Sequence, residues 1–410
     1  MSALRRQLGL LGRAPAFRLL FLPTLGSGMG TWIAVIALTV DVYDRTHHSA
    51  NWVSALLIVD FLPAVAIGLF FGAVIDQISR KLLMIGADVV RFAVFAALPL
   101  ADSASGIVAL AAMAGLATGF FRPAVLAGLP NLVEADDLPN ANSLLRSIEH
   151  VTIAAGTLLG GIAVAAQGPH LAYGLNAGSF AISAVLLLGV PGSKLQAAPA
   201  TSRGRLRDIG DGFAVVRGSR ALLAVFVVWN LIALSNGATN VAEVALAKVS
   251  FNAGDFGFGL MWAASGVGLV AGSLFAPQLL ERRGIGGVYG AAIALMAIGP
   301  AGAAASPNVW VAVWFLVVGG VGNGAAYVYN ALLVQRGAPD AVRGRAFSLV
   351  MSVTFASFGL GMIAGGPLTQ AIGARWVYAT GAGLAAVAAL FGRTLARGVA
   401  DDAQVEPVPA

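Results

Sequence analysis

Apolar residues run along the chain in twelve nearly continuous stretches of about 20 to 27 residues, separated by short polar segments. A helix needs roughly 20 mostly apolar residues to cross a bilayer, whereas membrane-spanning strands alternate apolar and polar residues. The pattern therefore predicts twelve transmembrane helices. The predicted spans are 18–42, 51–75, 82–101, 106–129, 143–166, 170–190, 221–247, 256–280, 285–305, 309–334, 346–370 and 375–395.

Composition supports an all-α membrane protein. Hydrophobic residues make up 58% of the chain and charged residues only 11%, whereas soluble domains carry about 25% charged residues. A soluble fold of this composition would lack the polar surface to cover itself, which excludes a soluble enzyme, a nucleic-acid-binding protein and a disordered chain. The net charge of +6 therefore does not indicate nucleic acid, and the expected partner is the lipid bilayer.

Few features indicate a cofactor or a metal. The chain has no cysteine, and His47 and His48 lack further ligands nearby in the sequence. No G-x-x-x-x-G-K-[ST] loop for ATP is present. The glycine-rich runs 266–272 and 319–324 lie inside apolar spans, where small residues are typical of helix packing. We expect no metal and no cofactor.

Basic residues predict the topology. With the N-terminus inside, nineteen lysines and arginines fall in cytoplasmic segments, and only Arg45, Lys248 and Arg375 fall in outer loops. Cytoplasmic loops of membrane proteins carry an excess of basic residues. We therefore expect both termini in the cytoplasm and a multi-pass protein of a bacterial cytoplasmic membrane.

Residues 191–220 form the main internal boundary. This polar stretch predicts a cytoplasmic linker with an amphipathic helix, because Leu206, Ile209, Phe213 and Val216 have helical spacing. The expected domains are a six-helix bundle over 1–190, the linker over 191–220, a second six-helix bundle over 221–397 and a disordered cytoplasmic tail over 398–410. A shift of 205 residues places Asp76 on Glu281, each at the end of a span before a basic pair. We interpret this match as an internal repeat of two parallel halves.

The segment 72–81, between spans 2 and 3, resembles the signature G-x-x-x-D-R/K-x-G-R-R/K of the major facilitator superfamily. Gln77 and Ser79 depart from it, and four residues match: Gly72, Asp76, Arg80 and Lys81. The resemblance implies the twelve-helix major facilitator fold. A carboxylate at a membrane edge needs a cation or a helix N-terminus as its partner. We expect Asp76 to find that partner in the other half, as a latch that closes the cytoplasmic side.

Two further segments extend this cytoplasmic gate motif. Glu281 and Arg282 form a degenerate copy in the predicted loop between spans 8 and 9. The loop before span 11, with Arg343, Gly344 and Arg345, is similar to that of the drug–proton antiporters, which include macrolide and siderophore exporters. Two features depart from that subgroup: the outer part of span 4 has no arginine, and span 5 lacks the proline of the pattern G-x-x-x-G-P-x-x-G.

Ionisable residues inside spans are costly and usually functional. The candidates for proton coupling are Asp60, Glu243, Asp88, Arg91, Arg122 and Glu149. Asp88 and Arg91, three residues apart on one helix face, suit a structural pair better. Arg122 and Glu149, with Arg146, equally suit a gate network. Asp60 has no basic neighbour in sequence, as a proton carrier would require; alternatively, it and Glu243 are packing residues or line a wet vestibule.

In this superfamily, spans 1, 4, 7 and 10 line the central cavity. The substrate candidates in them are Trp32, Trp229, Asn230, Asn236, Asn240, Asn323, Tyr327 and Asn330. Such a lining, mostly apolar with scattered hydrogen-bonding groups, favours amphiphilic substrates over sugars or phosphates. Some of these side chains are equally compatible with simple packing between helices.

The resemblance implies a secondary active transporter, not an enzyme, that exports small amphiphilic compounds, drug-like or siderophore-like, in exchange for protons by alternating access. The expected partners are a small-molecule substrate and protons, and we expect a monomer. Lysophospholipid flipping and metabolite uptake or export by the same fold are the alternatives. A sensor without flux is a further one, whereas a membrane-embedded enzyme would need a nucleophile–base set that the sequence lacks.

Reporter fusions test the predicted topology. Fusions after Asp102, Gln167 and Pro307 should read as external, and those after Lys81, Ser202 and Arg283 as cytoplasmic, because only this orientation places the basic loops inside. Paired phosphatase and fluorescent-protein reporters measure both states. An external signal at Ser202 would contradict the two-half arrangement.

Overall fold

The computed structural model describes residues 9–70, 78–195, 216–337 and 340–397. The long helices of the first half are Pro15–Arg45, Ala50–Phe70, Arg80–Ala97, Ala104–Gly128, Leu138–Gln167 and Pro169–Leu188. Those of the second half are Arg220–Ala245, Gly254–Ala305, Val309–Gly337, Asp340–Ile372 and Ala374–Arg397. A short helix, Gly192–Leu195, follows the sixth span.

Within the described ranges, twelve helical stretches are long and apolar enough to cross a membrane, which confirms the predicted number of spans. They are numbered span 1 to span 12 in chain order. The helix of span 11 begins at Asp340 instead of 346, and that of span 5 begins at Leu138 instead of 143. Pro139 explains the earlier start of span 5, because proline is well accommodated in the first turn of a helix. Residues 206–213 of the predicted amphipathic helix lie outside the described residues, and Val216 is buried.

The helix Gly254–Ala305 contains both span 8 and span 9. The sequence predicts a loop at 281–284, and that prediction is wrong for the backbone, which is helical throughout. Gly284 alone did not stop the helix, since one glycine costs a helix only about 1 kcal/mol. The chain nevertheless changes direction between Gly268 and Gly299. These two residues are 31 positions apart, yet they pack against the adjacent residues Gly320 and Gly319 of span 10.

The chain divides into two compact units, one of Met1–Ser202 with Gly254–Ala263 and one of Arg203–Ala253 with Ala264–Ala410. In the first unit, span 1 packs against spans 5 and 6, and span 4 packs against spans 2 and 3. In the second unit, span 7 packs against spans 11 and 12. The first span of each half therefore lies against the fifth and sixth spans of that half.

Glycines allow the closest of these helix contacts. A Cβ on Gly160 of span 5 would lie 2.8 Å from the carbonyl oxygen of Ile33 in span 1. A Cβ on Gly365 of span 11 would lie 2.9 Å from the carbonyl oxygen of Ala238 in span 7. Both residues of the first pair are 205 positions before those of the second. The same contact therefore recurs in both halves at the shift found in the sequence.

The turns recur at the same shift. Gly168 connects spans 5 and 6 with φ +75°, and Gly373 connects spans 11 and 12 with φ +81°. A side chain is strained in this left-handed region, which explains a glycine at both positions. After spans 1 and 7, His47 with φ 51° and Asn252 with φ 50° form a second equivalent pair. The two halves therefore share backbone geometry as well as helix number.

Substituting alanine at the close contacts should destabilise the protein. Gly160→Ala and Gly365→Ala force a Cβ against a backbone that cannot recede easily, at a cost of roughly 1–3 kcal/mol. Gly174→Ala is the matched control, because its Cβ would meet no atom within 4 Å and alanine favours a helix over glycine by about 1 kcal/mol. Thermal unfolding in detergent should show a lower Tm for the first two and an unchanged or higher Tm for the control. Equal Tm values for all three variants would show that the approach is not tight.

Candidate functional site

Two basic residues of the cytoplasmic gate motif, Arg80 and Lys81, bind helix ends within the first unit. One terminal nitrogen of buried Arg80 donates to the carbonyl oxygens of Ala127 and Leu195, at 2.9 and 2.8 Å. Lys81 Nζ donates to those of Leu188 and Val190, at 2.7 and 2.8 Å. Carbonyls at helix C-termini lack helical partners and carry partial negative charge. Arg80 and Lys81 therefore join the C-terminal ends of spans 4 and 6 to the start of span 3.

The side chains of the remaining residues of this motif lie outside the described part of the chain. Gly72 and Asp76 lie outside the described residues. The backbone positions of Glu281, Arg282, Arg343, Gly344 and Arg345 are helical, but their side chains lie outside the described part. The latch role of Asp76 therefore stays a prediction.

Asp88 and Arg91 form an ion pair inside the first unit, where both are buried. The other Asp88 oxygen accepts a hydrogen bond of 2.6 Å from Ser183 Oγ of span 6. The guanidinium lies 4.3 Å from the ring centroids of both Phe121 and Phe180, a distance typical of cation–π contacts. Each charge is thus satisfied within the bundle, which favours the structural alternative over a role in proton coupling.

Arg122 of span 4 and Glu149 of span 5 form another ion pair. Their side chains are 67% and 43% exposed, in contrast to the buried Asp88 pair. Exposed ion pairs contribute little to stability, about 0–1 kcal/mol, and can exchange partners readily. The geometry therefore fits the predicted gate network, which would need charges that separate and rejoin.

Asp60 in span 2 and Glu243 in span 7 are in none of the ion pairs of the described residues. Asp60 is half-buried, and its backbone carbonyl packs against Gly115 of span 4. Glu243 is 6% exposed and hydrogen-bonded to the Tyr378 hydroxyl of span 12. Its Oε1 is buried without a hydrogen-bond partner in the described part of the chain.

The aromatic substrate candidates differ in exposure. Trp229 is buried and makes an edge contact with Tyr327, with ring centroids 4.9 Å apart, whereas Tyr327 is half exposed. Trp32 is half-buried and lies 5.7 Å from Trp262, between ring centroids. Tyr327 and Trp32 therefore remain accessible, while Trp229 packs within the second half.

The asparagine candidates also separate into two groups. Asn230 accepts a hydrogen bond from Ser357 at 2.7 Å, and buried Asn330 accepts one from Tyr289 at 2.8 Å. These bonds link spans 7 and 11 and spans 9 and 10, a packing role. Asn236, Asn240 and Asn323 are half-buried, so they remain the better candidates for substrate contact.

A polar cluster at the C-terminal end of span 1 was not predicted from the sequence. Arg45 Nε donates to Asp41 Oδ1 at 2.6 Å, and Tyr173 of span 6 donates to Asp41 Oδ2 at 2.9 Å. The four-residue spacing of Asp41 and Arg45 was the available signal for the ion pair. The tyrosine had a signal in the repeat, because Tyr173 and Tyr378 are 205 residues apart.

Comparison with known proteins identifies the family. The profile of the transmembrane secretion effector family matches residues 12–408. The multidrug efflux pump Tap of Mycobacterium tuberculosis is 26% identical over 377 residues, which cover 88% of each chain. The enterobactin exporter EntS of Citrobacter koseri is 26% identical over 87% of this chain and 86% of its own.

A solved structure shows the same fold. The crystal structure of the nucleoside transporter NupG superposes with a TM-score of 0.71, at 17% identity, over 93% of this chain and 98% of that one. These matches confirm the resemblance drawn from the motifs, and the relatives are transporters, not enzymes. The chain is a multi-pass membrane protein that belongs to the transmembrane secretion effector family of major facilitator transporters.

Proposed function

We propose that the protein is a monomeric, proton-coupled exporter that moves small amphiphilic compounds out of the cell by alternating access. The names of two relatives, a multidrug efflux pump and an enterobactin exporter, support export of such compounds. The sparsely polar candidate lining supports amphiphilic substrates over densely hydroxylated or phosphorylated ones. Both termini are cytoplasmic in this proposal, as the basic residues predict.

The observation that carries proton coupling is the division of the carboxyl groups inside spans. Asp41, Asp88 and Glu149 each form an ion pair with an arginine. Asp60 and Glu243 form none with a described basic residue. A carboxylate paired with arginine keeps its charge through a transport cycle, so these two unpaired groups are the proton carriers we infer.

The proposed coupling follows from the solvation of a carboxyl group. An ionised carboxyl in hydrocarbon is costly without a partner. Such a group is stable with a proton when the surrounding site is dry, and it can lose that proton when water reaches it. If one face of the membrane wets the group at a time, each conformational exchange carries a proton across. Substrate that crosses the membrane in the opposite direction, in the other conformational step of the cycle, is thereby coupled to the proton gradient.

The substrate contacts we propose are made by the accessible candidates of each unit. In the first unit, Trp32 offers an aromatic face. In the second unit, Tyr327 offers another, and Asn236, Asn240 and Asn323 offer amide groups. Few, scattered hydrogen-bonding groups fix orientation without demanding one substrate. This chemistry is compatible with a broad range of amphiphilic molecules.

Paired flux assays in vesicles test the proton carriers. Asp60→Asn and Glu243→Gln each remove a titratable group with little change in shape. The variant at a true carrier should lose accumulation driven by a pH gradient, while downhill exchange of substrate stays within about twofold of wild type. Exchange survives because alternation itself does not require the proton.

Asp88→Asn is the matched control for this experiment. It leaves buried Arg91 without its partner, which typically costs about 3–5 kcal/mol, so it should lower Tm or yield without separating coupling from exchange. Full gradient-driven transport in both test variants would exclude Asp60 and Glu243 as carriers. A substrate panel that includes lysophospholipids and polar metabolites distinguishes the alternative transporters.

Cysteine accessibility tests the cytoplasmic latch. Asp76→Asn removes the charge that we expect to bind the other half, so the inward-open population should rise. Cysteines placed on the cytoplasmic side of this cysteine-free chain should then react faster with a water-soluble maleimide. Asp102→Asn, an exposed change in a predicted outer loop, serves as the control. Unchanged labelling and unchanged transport in Asp76→Asn would show that no latch exists.

A further inference from the structure

Each half of the protein holds a carboxyl group of its first span against a tyrosine of its sixth span. In the first half, Tyr173 donates to Asp41 Oδ2 at 2.9 Å. In the second half, Tyr378 is hydrogen-bonded to Glu243. The tyrosines are 205 residues apart, the repeat shift, and the carboxyl residues 202 apart. The difference of three residues is close to one helical turn, so both carboxyl groups lie on equivalent helix faces.

The two carboxyl groups differ in what else they bind. Both oxygens of Asp41 are bonded, one to Tyr173 and the other to Arg45 at 2.6 Å. Arg45 is held in turn by the carbonyl oxygen of Ala101 at 3.2 Å. Glu243 has Tyr378 on one side, and its Oε1 is buried with no hydrogen-bond partner among the described residues.

No described cation compensates Glu243 from the neighbouring helices. Span 7 packs against spans 10, 11 and 12. The described side chains of spans 10 and 11 include no acidic or basic residue. In span 12, Arg375 donates to the carbonyl oxygens of Ala304 and Ser306, and Arg393 lies near the opposite end. On its own span, Lys248 lies in the π-helical turn Leu246–Ser250 and makes contacts of its own, whereas the side-chain partner of Glu243 in the described chain is Tyr378.

The π-helical turn is a second local feature of the site. It begins three residues after Glu243. Single π turns are rare in proteins overall, and many of those that occur lie at functional sites. Such a turn widens the backbone beside the carboxyl group.

We propose that Glu243 and Tyr378 form the proton-exchange site of the transporter, and that Asp41 with Tyr173 is its ion-paired counterpart, held by Arg45. This inference rests on the proposed function and selects Glu243 over Asp60. Tyr378 is a positioning residue that holds the carboxyl group in one orientation. The proton comes from water on one face of the membrane, adds to a carboxylate oxygen of Glu243, and leaves to water on the other face.

Labelling with dicyclohexylcarbodiimide distinguishes the two carboxyl groups without requiring a substrate. A protonated carboxyl adds its O–H across a C=N bond of the reagent, and the adduct rearranges to a stable N-acylurea, whereas an ion-paired carboxylate does not react this way. In vesicles containing the full chain, peptide mapping should find the adduct on Glu243 and not on Asp41. Comparable labelling of both residues, or of Asp41 alone, would overturn the proposal.

Variants of Arg45 test this ion pair. Arg45→Gln should make Asp41 reactive, while Arg45→Lys, which keeps a cation, should leave it unreactive. Tyr378→Phe removes a hydrogen bond that stabilises the charged carboxylate of Glu243, so it should raise the rate of labelling at Glu243 by about tenfold. A hydrogen bond to a charged group is worth about one order of magnitude in the equilibrium between the charged and protonated forms. Tyr173→Phe is the matched control and should leave Glu243 labelling unchanged. A structural role alone would change protein yield in these variants and not the site of labelling.

The outcomes separate this inference from the proposed function. Proton-coupled flux in wild type that persists in Glu243→Gln, with no adduct on Glu243, overturns the inference and leaves the proposed function intact. An adduct on Glu243 that follows the expected pattern, in a protein whose substrates move without protons, overturns proton coupling and supports the distinction between the two carboxyl groups.

Discussion

Close contact between helix backbones is the constraint on which the rest of this structure depends. Within a bilayer, helices gain little from burying apolar side chains, so association relies on packing and on the few polar contacts available. Gly160 and Gly365 bring the fifth span of each half against the first span at backbone distance. That approach fixes the position of the first span, and with it the depth of Asp41 and Glu243 and their alignment with a tyrosine on the sixth span.

The two halves preserve this geometry while their charges differ. The carbonyl group that follows the third span of each half illustrates the point. In the first half, Arg45 of span 1 binds the carbonyl oxygen of Ala101. In the second half, Arg375 of span 12 binds the carbonyl oxygen of Ser306, the position 205 residues after Ala101. One backbone requirement is thus met from two different helices. In the second half, this arginine lies on span 12 and binds carbonyl oxygens. Glu243 therefore has Tyr378 as its hydrogen-bond partner and no ion pair with a described arginine.

The sequence predicted features that depend on neighbouring residues, and it missed those that depend on the fold. Long apolar runs were sufficient for twelve spans, and a spacing of three residues was sufficient to pair Asp88 with Arg91. Ser183, which completes that network, lies on another helix, and nothing in local spacing indicates it. The same holds for Tyr378 and Glu243, which are 135 residues apart. The buried positions of Trp229 and Asn330 also required the packing of several helices to be known.

Ion pairing gives the charged residues inside spans distinct physical roles. A buried pair such as Asp88 with Arg91 is strongly destabilised when one partner is removed, so it suits a rigid part of the bundle. An exposed pair such as Arg122 with Glu149 loses little when it opens, so it suits a part that moves. A carboxyl group without a cation is neither rigidly locked nor freely solvated, and its charge depends on whether water reaches it. Only that third class links the protonation of a side chain to the conformation of the protein, and Glu243, buried with one tyrosine as its hydrogen-bond partner, is its clearest described member.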